Sequence, residues 1–153
     1  MDSRAYQWQE WSPGGKLEPG GWVLNRRLSS CLLGELWLAT KTASGDSSEV
    51  YFPPQSLVEN EVLFDEFCRR TQTLVGTLPE RFQSIEAVVT EGVPWPFVRL
   101  ESVDGLDLNH FRLSLSNRLI PLTQIRGWLE PVVAAFEEAH ERQLFHRSLD
   151  PAS

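Results

Sequence analysis

The order of secondary-structure signals in this sequence predicts an α+β fold, in which a small antiparallel sheet is followed by helices. Three short strand segments come first, an amphipathic helix follows, and two further strand segments precede two helices. Strands joined by short polar loops pair as antiparallel neighbours, so we expect about five strands in one twisted sheet. The chain has 153 residues, of which 41% are hydrophobic, which is enough for a sizeable core.

Residues 1–21 precede the first predicted strand as an N-terminal arm. Clusters of proline and glycine at 13–15 and 19–21 interrupt regular structure. Two alternatives stay open for this arm. It is either a loosely ordered terminus or an arm that is docked through the indoles of Trp8 and Trp11.

The five strand segments are short and are bounded by turn-forming residues. They cover residues 22–28, 36–39, 49–52, 85–90 and 97–101. Pro53 and Pro54 end the third segment, because proline cannot donate a hydrogen bond to a β ladder. Pro96 delays the start of the last segment to Phe97 for the same reason.

Three helices are predicted from the spacing of apolar residues. Residues 62–75 follow the helical period and are ended by Gly76. Residues 108–115 form a short helix, and residues 122–143 form a longer one. Pro131 lies inside the longer helix, but the apolar pattern continues on both sides of it, so we predict a helix through the proline.

Composition excludes several classes of function. The net charge of −7 disfavours non-specific binding to nucleic acid, which relies on Lys and Arg at phosphates. No apolar run approaches the ~20 residues that cross a bilayer, so we expect no membrane association. Cys31 and Cys68 form no ligand pattern and are read as free thiols of a cytoplasmic protein. The three histidines are dispersed, and we expect no metal site and no cofactor.

Five segments follow one another in the order of the landmarks of one known family. They are residues 28–39 (LSSCLLGELWLA), 50–53 (VYFP), 67–70 (FCRR), 97–108 (FVRLESVDGLDL) and 139–147 (AHERQLFHR). In that order they resemble the glycine loop, the V-A-I-K strand, the αC helix, the hinge and the end of the αE helix of a eukaryotic-type Ser/Thr protein kinase, the Hanks type that is also common in bacteria.

The resemblance covers about residues 19–153 and implies the domain organisation. It implies a kinase-like small lobe over residues 22–103, with a sheet of about five strands and the αC helix. Residues 104–153 then resemble the first part of a large lobe, with αD, αE and a catalytic loop. Because the similarity stops at that loop, we expect the large lobe to be incomplete.

The small-lobe residues that bind nucleotide in the family are replaced in this sequence. Ser29 and Cys31 stand where the first two glycines of the loop belong, and only Gly34 remains. Glycines let the backbone approach the phosphates, so side chains at those positions crowd a triphosphate. The best register puts Pro53 in place of the strand lysine and Arg70 in place of the αC glutamate. Both members of that ion pair are therefore absent.

The catalytic loop resembles H-R-D-L-K-P-x-N but reads H-R-S-L-D-P-A-S. His146 and Arg147 keep the framework letters. Ser148 replaces the catalytic base, and Ser153 is a poor replacement for the metal-binding asparagine. Asp150 replaces a lysine and reverses the charge that would meet the phosphate.

These replacements imply a catalytically inactive pseudokinase that acts as an interaction or regulatory scaffold, without ATP binding. The expected partner is another protein or a covering domain, or a second copy of the chain. Val132, Val133 and Phe136 point to more than one side of the long helix and form the predicted interaction face. Two alternatives stay open. One is an atypical nucleotide-binding kinase that uses Lys41 or Arg70 as a surrogate, and the other is a structural remnant without a partner.

Overall fold

The computed structural model describes residues 6–105 and 108–144 and has the α+β architecture that the sequence predicts. Its contacts divide the chain into two units. The first takes in the chain up to Leu78 together with Gln83–Val103, and the second takes in Pro79–Phe82 and the chain from Asp104 onwards.

The first unit is built on one antiparallel sheet. Its strands are β1 (Lys16–Leu17), β2 (Trp22–Cys31), β3 (Gly34–Lys41), β4 (Ser47–Phe52), β5 (Ile85–Val89) and β6 (Phe97–Glu101). They lie in the order β1-β2-β3-β4-β6-β5, and every neighbouring pair is antiparallel. The sheet has six strands rather than about five, because the arm contributes β1, whose two residues pair with the start of β2.

The central strand β4 presents two different faces. Ser48, Val50 and Phe52 alternate along it and are almost completely buried, and Val50 and Phe52 belong to the hydrophobic core. Glu49 and Tyr51 point to the opposite face, and Glu49 is buried as well. We call this second side of the sheet the Tyr51 face. Tyr51 pairs with Leu36 in β3 and with Val98 in β6, so those side chains share the Tyr51 face.

The N-terminal arm packs on the first unit, as in the second of the two alternatives for it. The Trp11 indole stacks on Phe52 with ring centroids 4.1 Å apart and is only 7% exposed. Leu17 is also buried, whereas Trp8 packs edge-on against Trp95 and stays 41% exposed. Proline and glycine in this segment prevent long strands but still allow the turn and the two paired residues of β1.

Two helices follow β4. Helix α1 (Gln55–Val58) is a single turn after Pro54. The sequence does not predict it, because two consecutive prolines indicate only the end of a strand. Helix α2 (Glu61–Leu74) confirms the predicted helix at 62–75. The side chain of Asn60 caps α2 by accepting a hydrogen bond from the backbone N–H of Leu63 at 3.1 Å.

The second unit contains α3 (Leu108–Ser114) and α4 (Leu122–Glu141), which confirm the two predicted helices. Helix α4 continues through Pro131, as the apolar pattern indicated. Within this unit Phe136 meets Phe82 edge to face at 6.0 Å, and Phe111 meets Trp128 in the same way at 5.1 Å. Among the described residues no helix is both long enough and apolar enough to cross a membrane.

Candidate functional site: the sheet face under the β2–β3 hairpin

The β2–β3 hairpin carries the residues predicted to replace a glycine loop. Its two-residue tip is Leu32 and Leu33, which are 95% and 70% exposed. Ser29 pairs with Leu36 near the end of the hairpin, and Cys31 is an exposed free thiol. Residues with side chains therefore stand at both positions that the sequence predicts to replace glycines of the loop.

Gly34 is the glycine that the hairpin geometry requires. Its φ is +126°, a conformation that residues with a side chain rarely adopt. A Cβ at this position would lie 2.3 Å from the carbonyl oxygen of Phe52, so β3 approaches β4 more closely than any side chain permits. A glycine at this position therefore allows the close packing of β3 on β4.

The side chain of Tyr51 lies beneath the hairpin. Its hydroxyl donates a hydrogen bond to the carbonyl oxygen of Leu33 in the tip. Two carbons of its ring would lie 2.9 and 3.2 Å from a Cβ at Gly34, so the ring packs directly against that glycine. The Phe67 ring of α2 lies on another side, with centroids 6.3 Å apart. Burial, together with the nearby Cys31, raises the pKa of Tyr51 to about 12.

Pro53 occupies the predicted position of the strand lysine and is part of the core. It is almost fully buried, and its carbonyl oxygen accepts a hydrogen bond from the indole N–H of Trp95 at 3.0 Å. Proline has no group that could bind a phosphate through its side chain. This position therefore joins the end of β4 to the loop before β6.

Arg70 occupies the predicted position of the αC glutamate and pairs on its own helix. Its Nε lies 2.5 Å from the Glu66 carboxylate, and its side chain is 66% exposed. Arg69 pairs with the same carboxylate in a bidentate way, through two hydrogen bonds of 2.8 and 2.9 Å. Hydrogen bonds from Arg69 and then Arg70 lower the pKa of Glu66. The guanidinium of Arg70 is thus engaged on the surface of α2.

Lys41, the other candidate surrogate, lies at the far end of β3. It pairs with Trp22 at the start of β2, whereas Gly34 lies at the hairpin end. Seven residues of strand separate Lys41 from Gly34, a span of about 23 Å at ~3.3 Å per residue. The length of a lysine side chain does not bridge that distance.

A carboxyl group lies on the Tyr51 face, two residues before Tyr51. The Glu49 side chain accepts a hydrogen bond from the Gln83 amide at 2.8 Å and another from the backbone N–H of Val103 at 3.4 Å. The Glu49 side chain therefore contacts the segment predicted as the hinge, residues 97–108, at Val103. A buried carboxyl group at this place disfavours an anionic ligand on the same face.

The predicted interaction residues of α4 differ in their exposure. Val132 and Val133 are 40% and 51% exposed. Phe136 is half-buried, because it packs on Phe82 within the second unit. Leu129, one helical turn before Val133, is more exposed than either valine and was not included in the predicted face.

The degenerate catalytic-loop residues His146, Arg147, Ser148, Asp150 and Ser153 lie outside the described residues. Within the described ranges no group of three or more His, Cys, Asp or Glu side chains could hold a metal ion. Sequence reasoning missed Tyr51. The available signal was a bulky aromatic residue at the alanine position of the V-A-I-K motif, in the segment Val50-Tyr51-Phe52-Pro53.

Comparisons with known proteins relate this chain to solved structures only. No protein-family model matches it, and no curated protein matches it significantly. Crystal structures of the PknI kinase domain of Mycobacterium tuberculosis are similar at 17% sequence identity. A single-substitution variant of that domain gives a TM-score of 0.74, and a structure without named substitutions gives 0.73.

The match covers 94% of this chain and 56–57% of the kinase-domain chains, so this chain spans a little over half the length of the structures it resembles. The order of strands, with α2 inserted between β4 and β5, is consistent with that likeness. The chain has a protein-kinase-like fold, in which the first unit corresponds to the small lobe.

Proposed function

We propose that this protein is a catalytically inactive, kinase-like domain that binds another protein rather than a nucleotide. The observation that carries the proposal is which residues occupy the sheet face under the β2–β3 hairpin. There Tyr51 packs beneath the hairpin tip, Pro53 stands at the position that the family resemblance assigns to the phosphate-binding lysine, and the Glu49 carboxyl group lies on the same face. In a kinase, a strand lysine and the open backbone N–H groups of a glycine loop hold the triphosphate, and in our register a proline and two residues with side chains stand at the corresponding positions.

The alternative of an atypical nucleotide-binding kinase draws less support from the geometry. Its two surrogate cations are Lys41, at the opposite end of β3 from the hairpin tip, and Arg70, paired with Glu66. Neither lies where it could neutralise phosphates beneath the hairpin. Phosphoryl transfer depends on positioned positive charge at the transferred group, so this arrangement disfavours catalysis.

The test of inactivity is binding of Mg-ATP to the wild-type chain. Calorimetry at millimolar nucleotide is expected to give no heat of binding, and the melting temperature is expected not to change with Mg-ATP. A micromolar dissociation constant for Mg-ATP would contradict the proposal. ADP and AMP in the same titration show whether any residual binding depends on the γ-phosphate.

The proposed binding role rests on the exposed apolar residues of α4. Leu129 and Val133 lie one turn apart on that helix, and both are more than half exposed. Apolar residues grouped on one exposed face favour association, because burying each of them is worth ~1.5–3 kcal/mol. This face, extended by Val132, is the proposed contact surface for a protein partner or a second copy of the chain.

A further inference from the structure

The ring of Tyr51 is fixed at both ends within the first unit. Its backbone belongs to β4, between the buried residues Val50 and Phe52. Its hydroxyl is hydrogen-bonded to the Leu33 carbonyl in the hairpin tip. The ring therefore spans the distance from the middle of the sheet to the end of the hairpin.

The position of this ring relates directly to the phosphate site of a kinase. In a β-strand, side chains two residues apart lie on the same face, so the residue two before the strand lysine faces the same side as that lysine. Tyr51 is that residue in the register that puts Pro53 at the lysine position. The glycine loop covers the phosphates from above, and the hairpin tip corresponding to it is bonded to Tyr51.

We propose that Tyr51 is an intramolecular plug whose ring fills the space under the hairpin, and that its removal opens a site for a flat, uncharged aromatic molecule. The inference deepens the proposed function, on which it rests, by naming the side chain that occupies the sheet face under the hairpin. The surrounding side chains set the ligand class. Leu36 and Val98 flank Tyr51 on its face of the sheet, and Phe67 approaches from α2. These groups suit an apolar ring, whereas Glu49 on the same face opposes a phosphate.

The test compares wild type with Tyr51→Ala and Tyr51→Phe. Alanine removes the ring, whereas phenylalanine keeps the ring and loses only the hydrogen bond, so it is the matched control. Indole, adenine and Mg-ATP are titrated into each protein by calorimetry. We expect Tyr51→Ala to bind indole at least tenfold more tightly than wild type or Tyr51→Phe does, as engineered apolar cavities do with aromatic molecules. The bound indole should also shift the amide resonance of Gly34.

Two results would overturn the proposal that Tyr51 is a plug. One is a folded Tyr51→Ala protein that binds indole no better than wild type does. The other is Tyr51→Phe binding indole as tightly as Tyr51→Ala, because the ring would then not be what occupies the site.

A measurement on the wild-type protein keeps the inference testable if Tyr51→Ala does not fold. Nuclear Overhauser contacts are expected from the Tyr51 ring protons to the α-protons of Gly34 and to the side chain of Leu36. Their absence would overturn the plug. Binding of Mg-ATP to wild type with these contacts intact would instead contradict the proposed function alone, so the two failures are distinguishable.

Discussion

Gly34 carries the tightest backbone contact of the candidate site, and its replacement tests the hairpin geometry directly. We predict that Gly34→Ala lowers the free energy of unfolding by about 2–5 kcal/mol. Positive φ costs a non-glycine residue ~1–2 kcal/mol, and the clash with the Phe52 carbonyl adds a further ~1–3 kcal/mol. Urea denaturation of the variant and the wild type measures the difference.

Gly45 provides the matched control for this prediction. Its φ is +77°, also positive, but a Cβ there meets nothing within 4 Å. Gly45→Ala therefore has the conformational cost of a positive φ but no clash, and its free energy of unfolding should fall by only about 1 kcal/mol. Equal losses in the two variants would mean that β3 does not approach β4 as closely as described.

The raised pKa of Tyr51 predicts that the free energy of unfolding of the protein depends on pH. Its pKa is raised to about 12, so the folded state holds the phenol proton more tightly than the unfolded state, whose value is near 10. The stabilisation that follows is fully present below pH 10 and is lost as the pH rises towards 12. We predict that wild type loses stability relative to Tyr51→Phe across this window.

The measurement is the difference in urea-unfolding free energy between wild type and Tyr51→Phe at a series of pH values from 8.5 upwards. Tyr6 is present in both proteins, so its titration cancels in the difference. A difference that stays constant up to pH 11.5 would show that the Tyr51 phenol is not held under the hairpin.

At the scale of elements, the N-terminal arm is an integral layer of the first unit. Trp11 stacks on Phe52 at the centre of the core, so we predict that Trp11→Ala costs about 3–5 kcal/mol of unfolding free energy. Trp8 packs edge-on against Trp95 but is 41% exposed, so Trp8→Ala should cost only about 1 kcal/mol. Thermal and urea unfolding followed by far-UV circular dichroism give both values, and a small loss for Trp11→Ala would indicate an arm that is not docked.

Elements with a regular apolar period could be predicted from the sequence. Helices α2 and α4 follow the helical spacing, and β6 begins at Phe97 directly after Pro96. Strand β1 and helix α1 are too short to have a period, so the sequence predicts only an irregular arm at β1 and the end of a strand before α1. The assignment of Pro53 and Arg70 to the lysine and glutamate positions of a kinase stays a prediction, because its register comes from a family motif. The role of Tyr51 could not be, because it depends on which neighbour its side chain reaches.

At the scale of the whole molecule, the exposed apolar residues of α4 predict association. We expect light scattering at high concentration to give a mass above the 17.4 kDa of one chain, and Val133→Asp to restore that value. Val133 is a sharper probe than Phe136, because Phe136 also packs on Phe82 and its replacement would disturb folding.

The control for this prediction is Thr123→Asp, which adds the same charge at an exposed polar position of α4. It should associate as wild type does. A wild-type chain that remains monomeric at high concentration would contradict self-association through this face.

The distribution of tryptophan makes the two units optically distinct. Five of the six indoles, at positions 8, 11, 22, 37 and 95, belong to the first unit, and only Trp128 belongs to the second. Four of those five are buried, so their emission should be blue-shifted in the native state and should move to longer wavelength when the sheet opens. Intrinsic fluorescence therefore reports almost entirely on the first unit, whereas the α4 helix contributes mainly to the far-ultraviolet dichroism. If the two signals separate during denaturation, the units unfold independently, and the protein needs no added label to show it.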